Sequence, residues 1–418
     1  MRMLVTLLLV VFATPAMALP SLTIDLSTGK VLQHNQAFDP WHPASLTKLM
    51  TAYATFRAVA SGKVNLDTPV IMTREARNAP PSKIGYGAGA TMRLEDALKL
   101  LLIKSANDVS VALAQTVGGS VDGFASMMNG EAARLGMTGS RFVNPHGLHD
   151  ARQVVTARDM AVLLMAIQRD FPQYNRLFTA PSVMAPQFLK GGKQRQKVHF
   201  TFNLLLERYR GADGFKTGFV CASGYNFAGA ATRSGRRIAA IVFGRDGQVS
   251  RAVDAAKLMT AGFEQPVGAG VALRDLKPSG PVAARPRNMR PLLCTPEARA
   301  KRYNPAAGQA VIDSPWLQKR QITRQPLVVK LLPRSAVPPK IKRIPLPTFR
   351  PQQAAGTASS PTATAPAPVK VAVGKTDIEA LLRKQAEELR QQADAKAPPA
   401  SLAALARIPA PSFRPSDR

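Results

Sequence analysis

Tyr225-Asn226-Phe227-Ala228-Gly229-Ala230-Ala231-Thr232, then Arg233-Ser234-Gly235-Arg236, then Arg237-Ile238-Ala239-Ala240-Ile241-Val242-Phe243, is where the chain changes its period. Two apolar runs without helical spacing flank a Ser-Gly turn, which is the pattern of a β-hairpin. A second hairpin pattern stands near the beginning, where Leu22-Thr23-Ile24-Asp25 and Val31-Leu32-Gln33 flank Ser27-Thr28-Gly29-Lys30. The text between them is helical. Ser45 to Ala60 reads as a helix ending at Ser61-Gly62, and Arg93 to Val117 as one interrupted by Ser105-Ala106-Asn107 and closed by Gly118-Gly119. Asp122 to Leu135 and Thr156 to Arg169 follow, the latter opened by a threonine that can cap it. After the hairpin, Ser250 to Met259 returns to helix, with Gly262 at its end. Strands at both ends and helices between them predict an α+β fold: an antiparallel sheet flanked by helices, with a helical insertion.

Beyond this body the grammar changes. The predicted boundaries are a leader over 1–18, a folded domain over 19–268 and an extension over 269–418. Arg2, the apolar run Leu4 to Ala13 and the small-x-small site Ala16-Met17-Ala18 read as a cleaved secretory signal, with Leu19 the first mature residue. The extension is rich in proline and basic residues and contains an Ala/Thr/Ser/Pro tract at Ala354 to Pro368. It cannot bury enough apolar surface over most of its length to offset chain entropy, so it is expected to be largely disordered. The exception is a short helix over 377–393, where Ile378, Leu381, Leu382, Ala386 and Leu389 share a face. Arg343-Ile344-Pro345-Leu346-Pro347-Thr348-Phe349-Arg350-Pro351 recurs as Arg407-Ile408-Pro409-Ala410-Pro411-Ser412-Phe413-Arg414-Pro415. This is either a duplicated docking motif in polyproline II form or drift within biased sequence.

The whole chain has 418 residues and a formal charge of +30, from 56 Lys+Arg against 26 Asp+Glu. Such a charge calls for an anionic partner. Export removes nucleic acid from the candidates and leaves anionic envelope polymers or a membrane surface. Cys221 and Cys294 do not make a disulfide framework; an oxidising compartment permits them to pair, and the sequence leaves that open.

Three short motifs carry chemistry. In Ser45-Leu46-Thr47-Lys48 a spacing of three puts hydroxyl and amine one helical turn apart on one face. A lysine whose pKa is lowered by burial and neighbouring charge can take the serine proton. The helix start leaves the Ser45 N–H free for a developing oxyanion. Ser105-Ala106-Asn107 breaks a helix, so Ser105 can relay a proton to a leaving amine while Asn107 holds a substrate carbonyl. Lys216-Thr217-Gly218, before a strand edge, offers a cation and a hydroxyl to a terminal carboxylate, and Gly218 removes the side chain that would keep a substrate from the backbone. Each motif alone is common by chance. His146 and His149, three apart in a Pro/Gly loop without further clustered ligands, read as structural, so no metal is assigned. His42, with a proline between it and Ser45, is a poorer base than Lys48.

Taken together and in this order, Ser-x-x-Lys, Ser-x-Asn and Lys-Thr-Gly resemble the signature of penicillin-binding proteins and serine β-lactamases. More narrowly, the chain resembles the low-molecular-mass D-alanyl-D-alanine carboxypeptidases. His42 to Ala52, Lys104 to Asp108, Asn144-Pro145-His146-Gly147-Leu148, Thr156 to Asp159, Asp213 to Gly218 and Ser223 to Asn226 carry that likeness. The resemblance implies a β-lactamase/transpeptidase-like fold and acyl transfer from a peptidoglycan stem peptide to Ser45, with Lys48 as base and Ser105 as proton relay. It further implies that Asn107 orients the substrate amide, that Lys216 and Thr217 hold the carboxylate, and that the Ser45 and Phe219 N–H groups form an oxyanion hole. Arg251 assists with the carboxylate. β-Lactams become covalent inhibitors and no cofactor is needed. Phe219-Val220 departs from the polar pair common in the family, and neither its following β-sandwich nor its terminal anchoring helix is recognisable. A D,D-endopeptidase, a β-lactamase and a non-catalytic wall-binding protein are the alternatives. No Glu-x-x-Leu-Asn stretch lies between Asn107 and Lys216, so slow acyl-enzyme turnover is expected.

Overall fold

In the computed structural model the described residues are 19–189, 193–302, 312, 314–321 and 324–333. The leader, both copies of the proline-rich repeat and the helix read over 377–393 lie outside them. Chain order gives strands β1 (Ser21–Asp25), β2 (Lys30–Asn35), β3 (Pro69–Ile71), β4 (Thr91–Arg93), β5 (Ser182–Phe188) and β6 (Gln194–Phe200). Then come β7 (Ala212–Val220), β8 (Gly224–Arg233), β9 (Arg236–Arg245), β10 (Val271–Ala272), β11 (Leu327–Val328) and β12 (Leu331–Leu332). The decisive hairpin is β8–β9. Its loop is only Ser234-Gly235, with φ of 47° and 77°, the left-handed pair whose twist matches the flanking strands.

The main sheet is antiparallel, in the order β10-β2-β1-β9-β8-β7. Its middle is covered on both faces, which is why β9 reads as unbroken apolar text. Ile238, Ala240 and Val242 enter one core with Ala252, Ala255, Ala256 and Met259 of the helix Gln248–Glu264. Ala239, Ile241 and Phe243 point the other way, into the core that holds Met160, Leu163, Leu164 and Ile167 of the helix Ala157–Asp170. The two-residue period of a strand sorts them. Gly262 does not end its helix, as the sequence suggested; it lies within it. A Cβ there would stand 2.8 Å from Ile238 Cγ2 and 3.1 Å from Thr23 Cγ2, so glycine is present for helix–sheet approach.

The helical insertion matches the sequence reading in outline and adds detail where the site lies. The first helix runs Thr47–Ala60 and is preceded by a 3₁₀ turn, Ala44–Leu46. The interrupted helix is three pieces: Leu94–Lys99, a wide π turn over Leu100–Lys104, and Asn107–Gly118, with Ser105 left-handed at φ 62° between the last two. The Thr156 hydroxyl caps its helix by accepting from the Asp159 N–H at 3.0 Å.

Sequence reading missed the hairpin β5–β6, whose outer strand is polar and exposed and therefore lacks an apolar period. It also missed three two-residue strands of the extension. β10 adds to β2, β11 runs parallel to β5, and β12 pairs with β4. The described part of the extension is thereby stitched to the body, and Arg324 adds a bond to the Thr179 carbonyl at 2.7 Å. Among the described residues no helix is long and apolar enough to cross a membrane.

Cys221 and Cys294 are joined, with Cα atoms 5.8 Å apart across 73 residues. Nearby, the Met289 N–H donates to the Ala222 carbonyl at 2.9 Å, and Leu293 is buried against Gly224. Closing a loop of that length restricts the unfolded chain, so Cys294→Ser is expected to lower stability by about 2–4 kcal/mol. Roughly 5–10 °C should be lost from Tm. Thermal melts with and without reductant check this: the variant should melt low in both, the parent only when reduced.

Candidate active site

Ser45 sits in the 3₁₀ turn at the head of the first helix, and Lys48 follows on the same face. The residue before the nucleophile, Ala44, is held at φ 50°, a left-handed value that a non-glycine residue adopts only when its surroundings enforce it. Lys48 is fully buried. Its Nζ lies 3.0 Å from Ser45 Oγ, 2.7 Å from Asn107 Oδ1 and 2.7 Å from the His146 carbonyl oxygen. Burial, then the charge of Lys216, hold its pKa well below the ordinary lysine value; Asp108 offsets this in part. The three contacts fit a neutral amine. Such a group has two N–H donors and one lone pair, and the two carbonyl oxygens can only accept. In the neutral form, which the lowered pKa favours, they take both donors and the lone pair faces the Ser45 hydroxyl.

The other motif residues converge on the same cleft of about 420 Å³. Ser105, Asn107, Thr217, Gly218, Phe219 and Arg251 line it together with Ser45. The left-handed turn at Ser105 ends the π turn and brings Asn107 under Lys48. The Asn107 amide Nδ2 donates to the Pro80 carbonyl at 2.9 Å, so its oxygen is fixed toward the lysine. Lys216 is buried on β7, and its ammonium donates to the neighbouring Thr217 carbonyl at 3.1 Å. Burial, then Arg251, then Lys104 bring its pKa down to about 7. Arg251 is also buried and donates through Nη2 to the Phe202 carbonyl at 2.8 Å, while its Nε has no partner among the described residues. Burial lowers its pKa to about 10. Two buried cations in one pocket, one of them with an idle donor, leave room for an anion.

Gly218 lines the cleft and also serves packing. A Cβ there would lie 2.8 Å from the Pro43 oxygen and 2.9 Å from Ser45 N, so its absence lets β7 rest against the nucleophile's turn. The adjoining Phe219 ring packs on Tyr225, with centroids 4.3 Å apart, and Arg251 lies 5.7 Å from the Tyr225 centroid. Apolar and stacking contacts thus fill this side of the cleft. His146 acts through its backbone: burial and the nearby Lys48 push the ring's pKa down to about 3, and its Nδ1 accepts from the Leu148 N–H at 3.1 Å. His42 is turned to the Gln153 carbonyl at 3.0 Å.

Several lining residues had no legible signal. Pro81, Ser82, Phe202 and Gln248 reach the cleft from segments with no motif of their own. Only the Pro80-Pro81 pair marks one of these loops as a turn.

The D-alanyl-D-alanine carboxypeptidase family matches residues 14–247. The D-alanyl-D-alanine carboxypeptidase DacC of Escherichia coli is 33% identical over 251 residues, 57% of this chain and 60% of that protein. Among solved structures, penicillin binding protein 5 from Haemophilus influenzae superposes with a TM-score of 0.54 at 30% identity, over 59% of this chain and 70% of that one. Penicillin-Binding Protein D2 from Listeria monocytogenes, in its cefotaxime-bound form, gives 0.51 at 29% identity, over 59% and 97%. The chain spans about three fifths of the length of the curated relatives it matches. With its sheet, helical insertion and three convergent motifs, the chain belongs to the D-alanyl-D-alanine carboxypeptidase family.

Proposed function

We propose that the protein is an exported serine D,D-carboxypeptidase that removes the terminal D-alanine from peptidoglycan stem peptides. The observation that carries this reading is the buried Lys48 amine, its Nζ 3.0 Å from Ser45 Oγ and its pKa held well below the ordinary lysine value. The Ser45 oxygen attacks the penultimate D-alanine carbonyl as its proton passes to Lys48. Backbone N–H groups of Ser45 and Phe219 receive the oxyanion, a role supported by the approach of β7 to Ser45 at Gly218. The C–N bond breaks as Ser105 passes its proton to the departing amine and takes one in turn from the Lys48 ammonium, which restores the neutral amine, and D-alanine leaves. Water then hydrolyses the Ser45 ester, with Lys48 again taking a proton. Asn107 orients the substrate amide, and Lys216, Thr217 and Arg251 hold the terminal carboxylate.

A β-lactam presents a strained amide and a carboxylate to the same groups. The test is labelling with a fluorescent penicillin followed by mass spectrometry, beside an assay of free D-alanine from a pentapeptide. Adduct on the Ser45 peptide together with release is expected; adduct elsewhere, or neither, refutes the reading. Rapid multiple turnover of penicillin would instead make it a β-lactamase.

The carboxylate grip has a pH signature. Lys216 is half-charged near pH 7 in the free site: charged below, neutral above. Binding a carboxylate needs the charge, so kcat/KM is expected to fall by roughly fiftyfold between pH 7 and pH 9, following the charged fraction. Lys216→Arg keeps its charge throughout this range and should abolish that fall, though its plateau is lower. A limb near pH 7 that survives in the arginine variant assigns the titration to another group.

The basic extension is proposed to hold the enzyme on anionic envelope polymer. Its 26 Lys+Arg against 9 Asp+Glu support this. Sedimentation with purified sacculi should weaken with added salt and on deletion of 334–418.

A further inference from the structure

The cleft carries more positive charge than one carboxylate can match. Beyond Lys216 and Arg251 stands Lys104, whose Nζ donates to Ser82 Oγ at 2.9 Å and lies 5.7 Å from the Phe202 ring centroid. Ser82 and Phe202 both line the cleft with Ser45, so this ammonium is one side chain behind its wall. On β6, the exposed Lys197 and the half-buried His199 stand opposite Ala185 and Val183, which are fully buried, while Val198 and Phe200 point to the other face. Lys197 and His199 therefore share the face that packs toward the Leu100–Lys104 turn. Their proximity is felt electrically: Lys197 adds to the lowering of the Lys104 pKa, and both lysines add to that of His199, burial being the first cause in each case.

Among the described residues no carboxylate pairs with Lys104, Lys197 or His199. Asp108, the nearest acid acting on Lys104, is committed. Its Oδ1 accepts from the Ile84 and Val109 N–H groups and its Oδ2 from the Gly85 N–H. Phe202 separates the two groups of cations: its carbonyl takes the Arg251 bond, and its ring faces Lys104. The second group thus adjoins the proposed terminal-carboxylate grip across Phe202.

We infer that Lys104, Lys197 and His199 form an anion subsite for a second carboxylate on the leaving residue, so that the enzyme takes peptides ending in a D-amino dicarboxylate as well as in D-alanine. This rests on the proposed hydrolase reading for the direction of the peptide. Two carboxylates would then be matched by two sets of cations, one on each side of Phe202.

The test is equilibrium binding to the full chain carrying Ser45→Ala, which cannot turn over its ligand. The probes are two peptides that end in D-Ala-D-Glu or D-Ala-D-Gln and differ only in charge. A preference of about fivefold or more for the D-Glu peptide is expected, from two partly exposed ammonium groups acting together. It should shrink to about 1 in Lys197→Gln and in Lys104→Gln, each read as a ratio so that general damage cancels. A control pair carries the extra charge at the far N-terminus, as N-succinyl against N-acetyl. An equal gain there means long-range steering and overturns the subsite, as does a D-Glu/D-Gln ratio near 1. Penicillin labelling of the parent reports separately on the hydrolase. Label without preference refutes the subsite alone, and preference without label refutes the hydrolase alone.

Discussion

Lys48→Arg is expected to reduce the second-order rate constant for penicillin acylation by about 10³-fold, within the range that general-base catalysis supplies. The substitution keeps a cation and keeps N–H donors for Asn107 Oδ1 and the His146 carbonyl, so it isolates proton acceptance from charge. A guanidinium has no lone pair to offer Ser45 at any working pH. Lys48→Ala should lose as much activity for a second reason: it strips two buried oxygens of their donor, at about 1–3 kcal/mol each. Stopped-flow or gel-based labelling gives the rate constants, and a melt of each variant separates chemistry from folding. Retention of a tenth or more of parental reactivity by folded Lys48→Arg would falsify the assignment of Lys48 as base. The geometry makes the demand sharp, since Lys48 is the group placed 3.0 Å from Ser45 Oγ with its own pKa lowered.

Gly147→Ala is expected to cost about 4 kcal/mol, at the top of the range for single substitutions. Gly147 has φ +87°, and a Cβ there would come within 1.8 Å of the Ala44 carbonyl oxygen and 2.8 Å of Thr47 Oγ1. The obstructing atom is backbone, in the residue before the nucleophile, so no side chain can swing aside. The loop is also tied down. Asn144 Oδ1 accepts from the Gly147 N–H at 2.7 Å, Thr51 Oγ1 donates to the Pro145 carbonyl at 2.7 Å, and Gln153 Nε2 reaches Thr47 Oγ1 at 3.0 Å. Any relief must move either Ser45 or the His146 carbonyl that holds Lys48, so acylation should fall with stability. Gly136→Ala is the control. It shares a left-handed φ of +72° but has open space around the missing Cβ, and should cost only about 1 kcal/mol. Denaturant melts of the pair decide the matter; equal costs would mean that backbone conformation alone, without the clash at Ala44, sets the penalty.

The sheet and its flanking helices were largely legible because their signals are local. β9 announced itself by an unbroken apolar run, and the helix Ala157–Asp170 by its spacing and its threonine cap. Gly262 misled, since a glycine that ends a helix and one that lets a helix touch a sheet look alike in text. β5–β6 was silent because an exposed outer strand has no apolar face to repeat. At the site, the nucleophile and base were readable from a spacing of three. Phe202, Ser82 and the cations of β6 were not, since nothing near them in the chain marks a cleft.

The two hairpins of the main sheet with the helices between them, the Ser45–Lys48 pairing on one helical face and the excess of positive charge were determined by the sequence alone, because periodicity and composition are properties of neighbours along a chain. The tertiary structure decided that the Lys48 amine is buried with its pKa held well below the ordinary lysine value, that Gly218 opens room for Ser45's turn, and that Cys221 finds Cys294. Those outcomes depend on burial and on fields and contacts among residues distant in sequence: Lys48 meets Asn107 across 59 positions and His146 across 98. A group's solvent and its neighbours' charges set its chemistry, and folding is what chooses both.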